Sequence, residues 1–83
     1  MLIHIVSHRF FIMAEYKYGK WKTWEGYEYF AIHKKTFFGW KEQKTWGLGY
    51  DFFDDFTEED VKRQKQKMMD AVDRLVKAGH TVL

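Results

Sequence analysis

Up to Phe53 the apolar and polar positions alternate with period two, and beyond Thr57 they recur with helical spacing. From Arg9 onward, Phe10, Ile12, Ala14, Tyr16 and Tyr18 fall on one side and Arg9, Phe11, Met13, Glu15 and Lys17 on the other, which predicts a strand. Gly19-Lys20 then reads as a two-residue type II′ hairpin, where glycine supplies the positive φ, with Trp21 starting the return. Gly26 reads as a bulge, after which Tyr27 to His33 resumes the alternation. Lys34-Lys35 is placed in a second hairpin turn, followed by Thr36 to Lys41 as a strand and Glu42-Gln43-Lys44 as a polar connection. From Thr45 to Phe52 the even positions Trp46, Leu48, Tyr50 and Phe52 are all bulky, while Gly47 and Gly49 leave the odd side nearly bare.

Thr57 with Asp60 three residues on forms a capping-box pattern at a helix start, and Glu58 and Glu59 suit the positive end of the helix dipole. The apolar stripe is Val61, Met68, Met69, Val72, Leu75 and Val76, and Gly79 supplies the stop, with His80 to Leu83 left as a short strand or tail. Between Val61 and Met68 no residue is apolar, so this basic front half, carrying Lys62, Arg63, Lys65 and Lys67, reads first as a solvated helix start and second as a secondary basic face overhanging the sheet. The resulting expectation is an α+β fold: an antiparallel β-meander of three to four strands with one long C-terminal helix packed on one face. The expected core set is Phe10, Ile12, Phe30, Ile32, Phe38, Trp40, Trp46, Leu48, Tyr50 and Phe52.

A chain of 83 residues supports one small domain, read over 1–83, with 1–12 as an extension ahead of Met13-Ala14-Glu15. Neither Cys nor Pro is present, which excludes a disulfide scaffold, a thiolate metal site and a cysteine nucleophile. The apolar start is broken by His4, His8 and Arg9 before it reaches membrane-spanning length, so a cytoplasmic protein with no membrane partner is expected. The net charge of +2 conceals an asymmetry: through Tyr50 there are 8 Lys and Arg against 4 Glu, and beyond it 6 against 8 acids. That favours a mildly basic face rather than a dedicated duplex-DNA binder.

Catalytic chemistry has little to work with. Ser7 is the only serine, no His lies near an acid at a fixed helical spacing, and the acids from Asp51 to Asp60 lack the order of a calcium loop, so neither an enzyme, a metal site nor a cofactor is expected. The run Tyr18-Gly19-Lys20-Trp21-Lys22-Thr23-Trp24 resembles the Lys-Trp-Lys-x-aromatic run in the strand hairpin of chromodomains, which also end in a helix. That resemblance implies an aromatic cage for methyl-lysine, but the family's Trp-Glu-Pro continuation is missing and no cage residue carries over.

The aromatic count decides the functional expectation. Phe 8, Tyr 5 and Trp 4 make up 20% of the chain, more large rings than one helix and one sheet face can bury. The surplus falls by parity on the face away from the helix, with Phe11, Tyr27, Tyr29 and Phe37 interleaved with Lys17, His33 and Lys41. These residues are expected to engage another protein or a second copy as a homodimer, because Tyr, Trp and Arg dominate such contacts. In size and composition the chain resembles the small accessory proteins with which bacteriophages bind and block host machinery. The alternative is single-stranded nucleic acid or a nucleotide held by stacking plus Lys and Arg.

Overall fold

The structure is a computed structural model that describes residues 13–83. Three long strands, β1 (Glu15–Lys22), β2 (Tyr27–Thr36) and β3 (Gly39–Tyr50), form an antiparallel meander. A 3₁₀ turn (Asp51–Phe53) leads into the helix α1 (Glu58–Lys77), and β4 (Thr81–Val82) pairs parallel with the start of β1. The sheet order is β3-β2-β1-β4, so the fold is α+β with α1 on one sheet face.

Both hairpin turns lie further along the chain than alternation alone suggests. Gly19 is a strand residue opposite Ala31, and the first reversal occurs at Thr23–Gly26. There Gly26 N–H donates to Thr23 O at 2.9 Å, Tyr27 N–H donates to the Thr23 hydroxyl at 3.1 Å, and Gly26 takes φ 97°. This is the three-residue connection in which a left-handed glycine closes a tight turn, so Gly26 does serve a bulge, but one inside the turn. Lys34 and Lys35 stay in β2, and the second reversal is Phe37-Phe38, where Thr36 Oγ1 donates to Gly39 O at 2.7 Å and accepts from Phe38 N. The positive φ that Lys34-Lys35 lacks is carried by Gly39 at 109°.

Strand β3 runs unbroken through Glu42-Gln43-Lys44, but its pairing with β2 shifts twice. His33 faces Glu42 while Ile32 faces Lys44, leaving Gln43 extra; Tyr29 faces Gly47 while Glu28 faces Gly49, leaving Leu48 extra. Each bulge moves every subsequent side chain to the opposite face. With Trp46 on the helix side, the two shifts put Trp40 and Tyr50, both expected in the core as members of the bulkier side of their strands, on the open face, and put Lys41 on the helix side opposite Lys34. Phe38 and Phe52 are not core residues either: they sit at the hairpin tip and in the 3₁₀ turn, 95% and 68% exposed.

The core forms where α1 crosses β2 and β1. Met68 and Val72 pack on Tyr16, Phe30 and Ile32, with Trp46, Leu48, Val61 and Leu75 at the margin. Phe10 and Ile12 lie outside the described residues. One carboxylate is buried with this layer, that of Glu28, and Lys20 reaches it at 3.1 Å from the neighbouring strand. Capping closes both helix ends. Thr57 and Asp60 complete the capping box, while His80 N–H donates to Leu75 O and Gly79 N–H to Val76 O, with Gly79 at φ 94°. That glycine turn aims His80–Leu83 back along β1, where Thr81 N–H and Leu83 N–H bond Ala14 O and Tyr16 O.

The front half of α1 does not overhang. Val61 packs against the core and Gln64 Nε2 approaches Gly47 O at 3.5 Å, so Gln64 fills the place in the stripe that an apolar residue would otherwise take. The β2–β3 hairpin is the element that projects: the residues of β3 from Gly39 to Thr45 are all exposed.

Candidate functional site

The face opposite α1 is built from cross-strand ranks. One rank is Lys17, His33 and Glu42; the next is Gly19, Ala31 and Thr45; the third is Trp21, Tyr29 and Gly47; the last pairs Tyr27 with Tyr50. The second rank is small, and the large rings on either side close over it. A Cβ on Gly19 would stand 3.4 Å from the Trp21 ring, whose centroid lies 4.4 Å from that of His33, and Ala31 is fully covered. Gly47 acts the same way for Tyr27, whose hydroxyl occupies the space a Gly47 side chain would need. The two glycines are therefore low points across which aromatic rings lie, the close approach that glycine in a strand permits.

The result is an aromatic layer in two clusters. Tyr27 stacks on Tyr29 at 6.2 Å and meets Tyr50 edge-on at 5.3 Å, and Tyr50 continues to Phe52 and Phe53. At the other end the Lys17 ammonium sits 4.6 Å over the Trp40 ring and 6.0 Å from Trp21. Among the described residues α1 covers only the other face, so the rings Trp21, Tyr27, Tyr29, Trp40 and Tyr50 keep an outer surface toward solvent.

Glu42 is the polar centre of this layer. Its carboxylate accepts from the Tyr29 hydroxyl at 2.9 Å and lies 3.8 Å from His33 Nε2, while His33 Nδ1 is buried with no partner among the described residues. The hydrogen bond to Glu42 holds the Tyr29 phenol above its ordinary range, and desolvation and the carboxylate charge push the same way. Thr23, Tyr27, Tyr29, Glu42, Thr45 and Gly47 bound a shallow groove of about 270 Å³. Its tyrosine walls and acidic end suit a side chain with an apolar stem and a cationic or hydrogen-bonding tip.

Of the residues expected on this face, the structure brings together Lys17, Tyr27, Tyr29 and His33. Phe37 is at the hairpin tip and Lys41 on the helix side, both removed from the face by the true position of the turn and the bulge at Gln43. Phe11 lies outside the described residues. Trp21, Trp40, Glu42 and Tyr50 were missed, and only Trp21 had a signal, since its spacing from Gly19 becomes informative once Gly19 is a strand residue. Lys62, Arg63, Lys65 and Lys67 are exposed on α1 away from the layer, with Arg63 engaged at 2.9 Å by Asp60.

Among the described residues no three His, Asp or Glu side chains converge as metal ligands, and no helix is long and apolar enough to cross a membrane. No family model, no curated protein and no solved structure matches the chain.

Proposed function

We propose that the protein is a non-enzymatic binding module whose open aromatic face engages another protein chain, a second copy included. The observation that supports this best is the pair of ring clusters on one face, Tyr50, Tyr27 and Tyr29 in contact with one another, and Trp21 and Trp40 bridged by the Lys17 ammonium, with Trp21 directly across the strands from Tyr29. These rings are only partly covered, and tyrosine and tryptophan bind well because they bring large area at little entropy cost. Charge favours protein over nucleic acid. The face holds two lysines, Lys17 and Lys35, against Glu15 and Glu42, and Glu42 sits beside the two rings best placed to stack on a base. A carboxylate there repels a phosphate backbone and attracts a basic side chain. In this reading the protein acts in the cytoplasm and needs no cofactor.

Sedimentation velocity over a range of concentrations reads self-association, and isolation of the tagged chain from its own cells reads a heterologous partner. Tyr27→Ala with Tyr29→Ala should weaken whichever complex forms by about thirtyfold or more, with the circular dichroism spectrum retained. Global unfolding of that variant would make the rings structural and end the proposal.

A further inference from the structure

The β2–β3 hairpin tip carries a second feature that the open face does not use. Phe37 and Phe38 are each 95% exposed, and their only aromatic neighbour among the described residues is each other, edge-on at 5.3 Å. Behind them stand Lys34, Lys35, Lys41 and Lys44, with Glu42 the only acid between His33 and Thr45. None of these four lysines joins an ion pair among the described residues. Lys34 and Lys41 are directly paired across the strands, an arrangement of like charges that is unfavourable unless something anionic lies between them.

From these observations we infer that the hairpin tip docks end-on into an anionic lipid surface, Phe37 and Phe38 entering the interface and the lysines meeting headgroup phosphates. The disposition of the lysines selects a bilayer over a protein. Of the three lysines nearest the tip, Lys34 and Lys41 lie on the helix side of the hairpin and Lys35 on the open side, while Lys44, also on the helix side, stands further back over the Trp46 ring. A partner protein lying on one face meets only part of that trio, whereas a surface approached by the tip meets all three. The rings agree: at 82° to one another they offer no pair of parallel platforms for bases, but together they form an apolar wedge that a fluid interface accepts in any orientation. Peripheral docking needs no spanning segment. It therefore departs from the expectation of no membrane partner, which rested on span length alone, and it stands apart from the open-face proposal because it is carried by Phe37, Phe38, Lys34 and Lys41, with Lys35 alone common to both.

The test is co-sedimentation of the full chain with vesicles of phosphatidylcholine alone and of phosphatidylcholine mixed with phosphatidylglycerol. Binding is expected only to the mixed vesicles and should weaken with added salt. Each of Lys34→Gln and Lys41→Gln should reduce it about fivefold. Phe37→Ser with Phe38→Ser should reduce it about tenfold or more. All of these variants change exposed or half-exposed side chains, and circular dichroism checks that the sheet is retained. The Tyr27→Ala, Tyr29→Ala variant should bind vesicles as the parent does, which separates this site from the open face. Unchanged binding by the double Phe variant, equal binding to both vesicle types, or binding to a single-stranded oligonucleotide but to neither vesicle would overturn the inference. Full competition by inorganic phosphate at equal charge would also overturn it, since that result assigns the lysines to a free anion.

Discussion

Gly47 tests whether the aromatic layer is organised by its bare positions. In Gly47→Ala the new methyl would coincide with the Tyr27 hydroxyl and stand 3.2 Å from Cζ, so the ring must leave its place. The backbone itself tolerates alanine, because Gly47 is absent from the residues with positive φ. Tyr27 would lose its contacts with Tyr29 and Tyr50, each worth about 0.5–1.5 kcal/mol. Alanine in place of glycine in a strand returns about 0.5–1 kcal/mol. The net loss is about 1 kcal/mol, or roughly 4–8 °C in Tm for a domain of this size. Urea unfolding monitored by tryptophan fluorescence measures it, and near-ultraviolet circular dichroism reports the displaced tyrosine. The decisive comparison is a double-mutant cycle: in a Tyr27→Ala background the same substitution should cost nothing or stabilise slightly. A loss of equal size in both backgrounds would refute the account, since the cost would then come from the strand and not from the ring above it.

Other expectations rest on the same structure. Lys20→Ala leaves the buried Glu28 carboxylate without its 3.1 Å partner. Chemical denaturation should show a loss of about 1–2 kcal/mol, below the figure for a fully buried pair because Lys20 is half exposed. Met68→Ala removes a core side chain only 2% exposed and should cost about 2–5 kcal/mol by the same measurement. Thr57→Ala removes the helix cap and should cost about 1 kcal/mol. The backbone hydrogen bond from Thr57 holds Asp60 below its ordinary range; desolvation opposes it, and the Thr57 hydroxyl and Arg63 make smaller additions in the lowering direction. A folded-state value that is depressed gives stability present above the unfolded carboxyl range and lost as pH falls through the folded value, so Asp60→Asn should flatten that acid limb. Tyr29 has the opposite sign: its raised phenol stabilises the fold below the ordinary tyrosine range and ceases to as pH rises through the folded value. Glu42→Gln should move the onset of Tyr29 phenolate absorbance to lower pH.

The parts of the fold that depend on a few adjacent residues were readable in the chain. The helix, its Thr57–Asp60 cap and its Gly79 stop rest on contacts within a turn or two, and the structure has each of them. The strands were readable as strands, but their faces depended on partners remote in sequence. The extra residue Leu48 has no local marker and reverses the parity beyond it, which is how Tyr50 left the core; Trp40 and Lys41 exchanged faces because the bulkier side of a short strand is not necessarily its inner side, and Trp40 pairs with Lys35 on the open face. Gly19 misled for a related reason. A glycine that is bare because a ring lies over it looks, along the chain, like a glycine that is bare because the backbone turns. Gln64 completes the picture from the other side: a polar residue takes a place in the stripe and approaches the Gly47 carbonyl at 3.5 Å, beside Val61 on the core, where hydropathy alone predicts a free end.

The proposal that the open face binds a protein chain is tested most directly by site-specific photocrosslinking in the cells that make the protein. A benzophenone amino acid is placed at Tyr29, within the layer, and for comparison at Asp73, exposed on α1. The account predicts a discrete protein adduct from position 29, to a second copy or to one other chain, that is absent from position 73 and lost when Gly47→Ala displaces the Tyr27 ring. Adducts of equal yield at both positions, a nucleic-acid adduct at position 29, or no adduct there would contradict it.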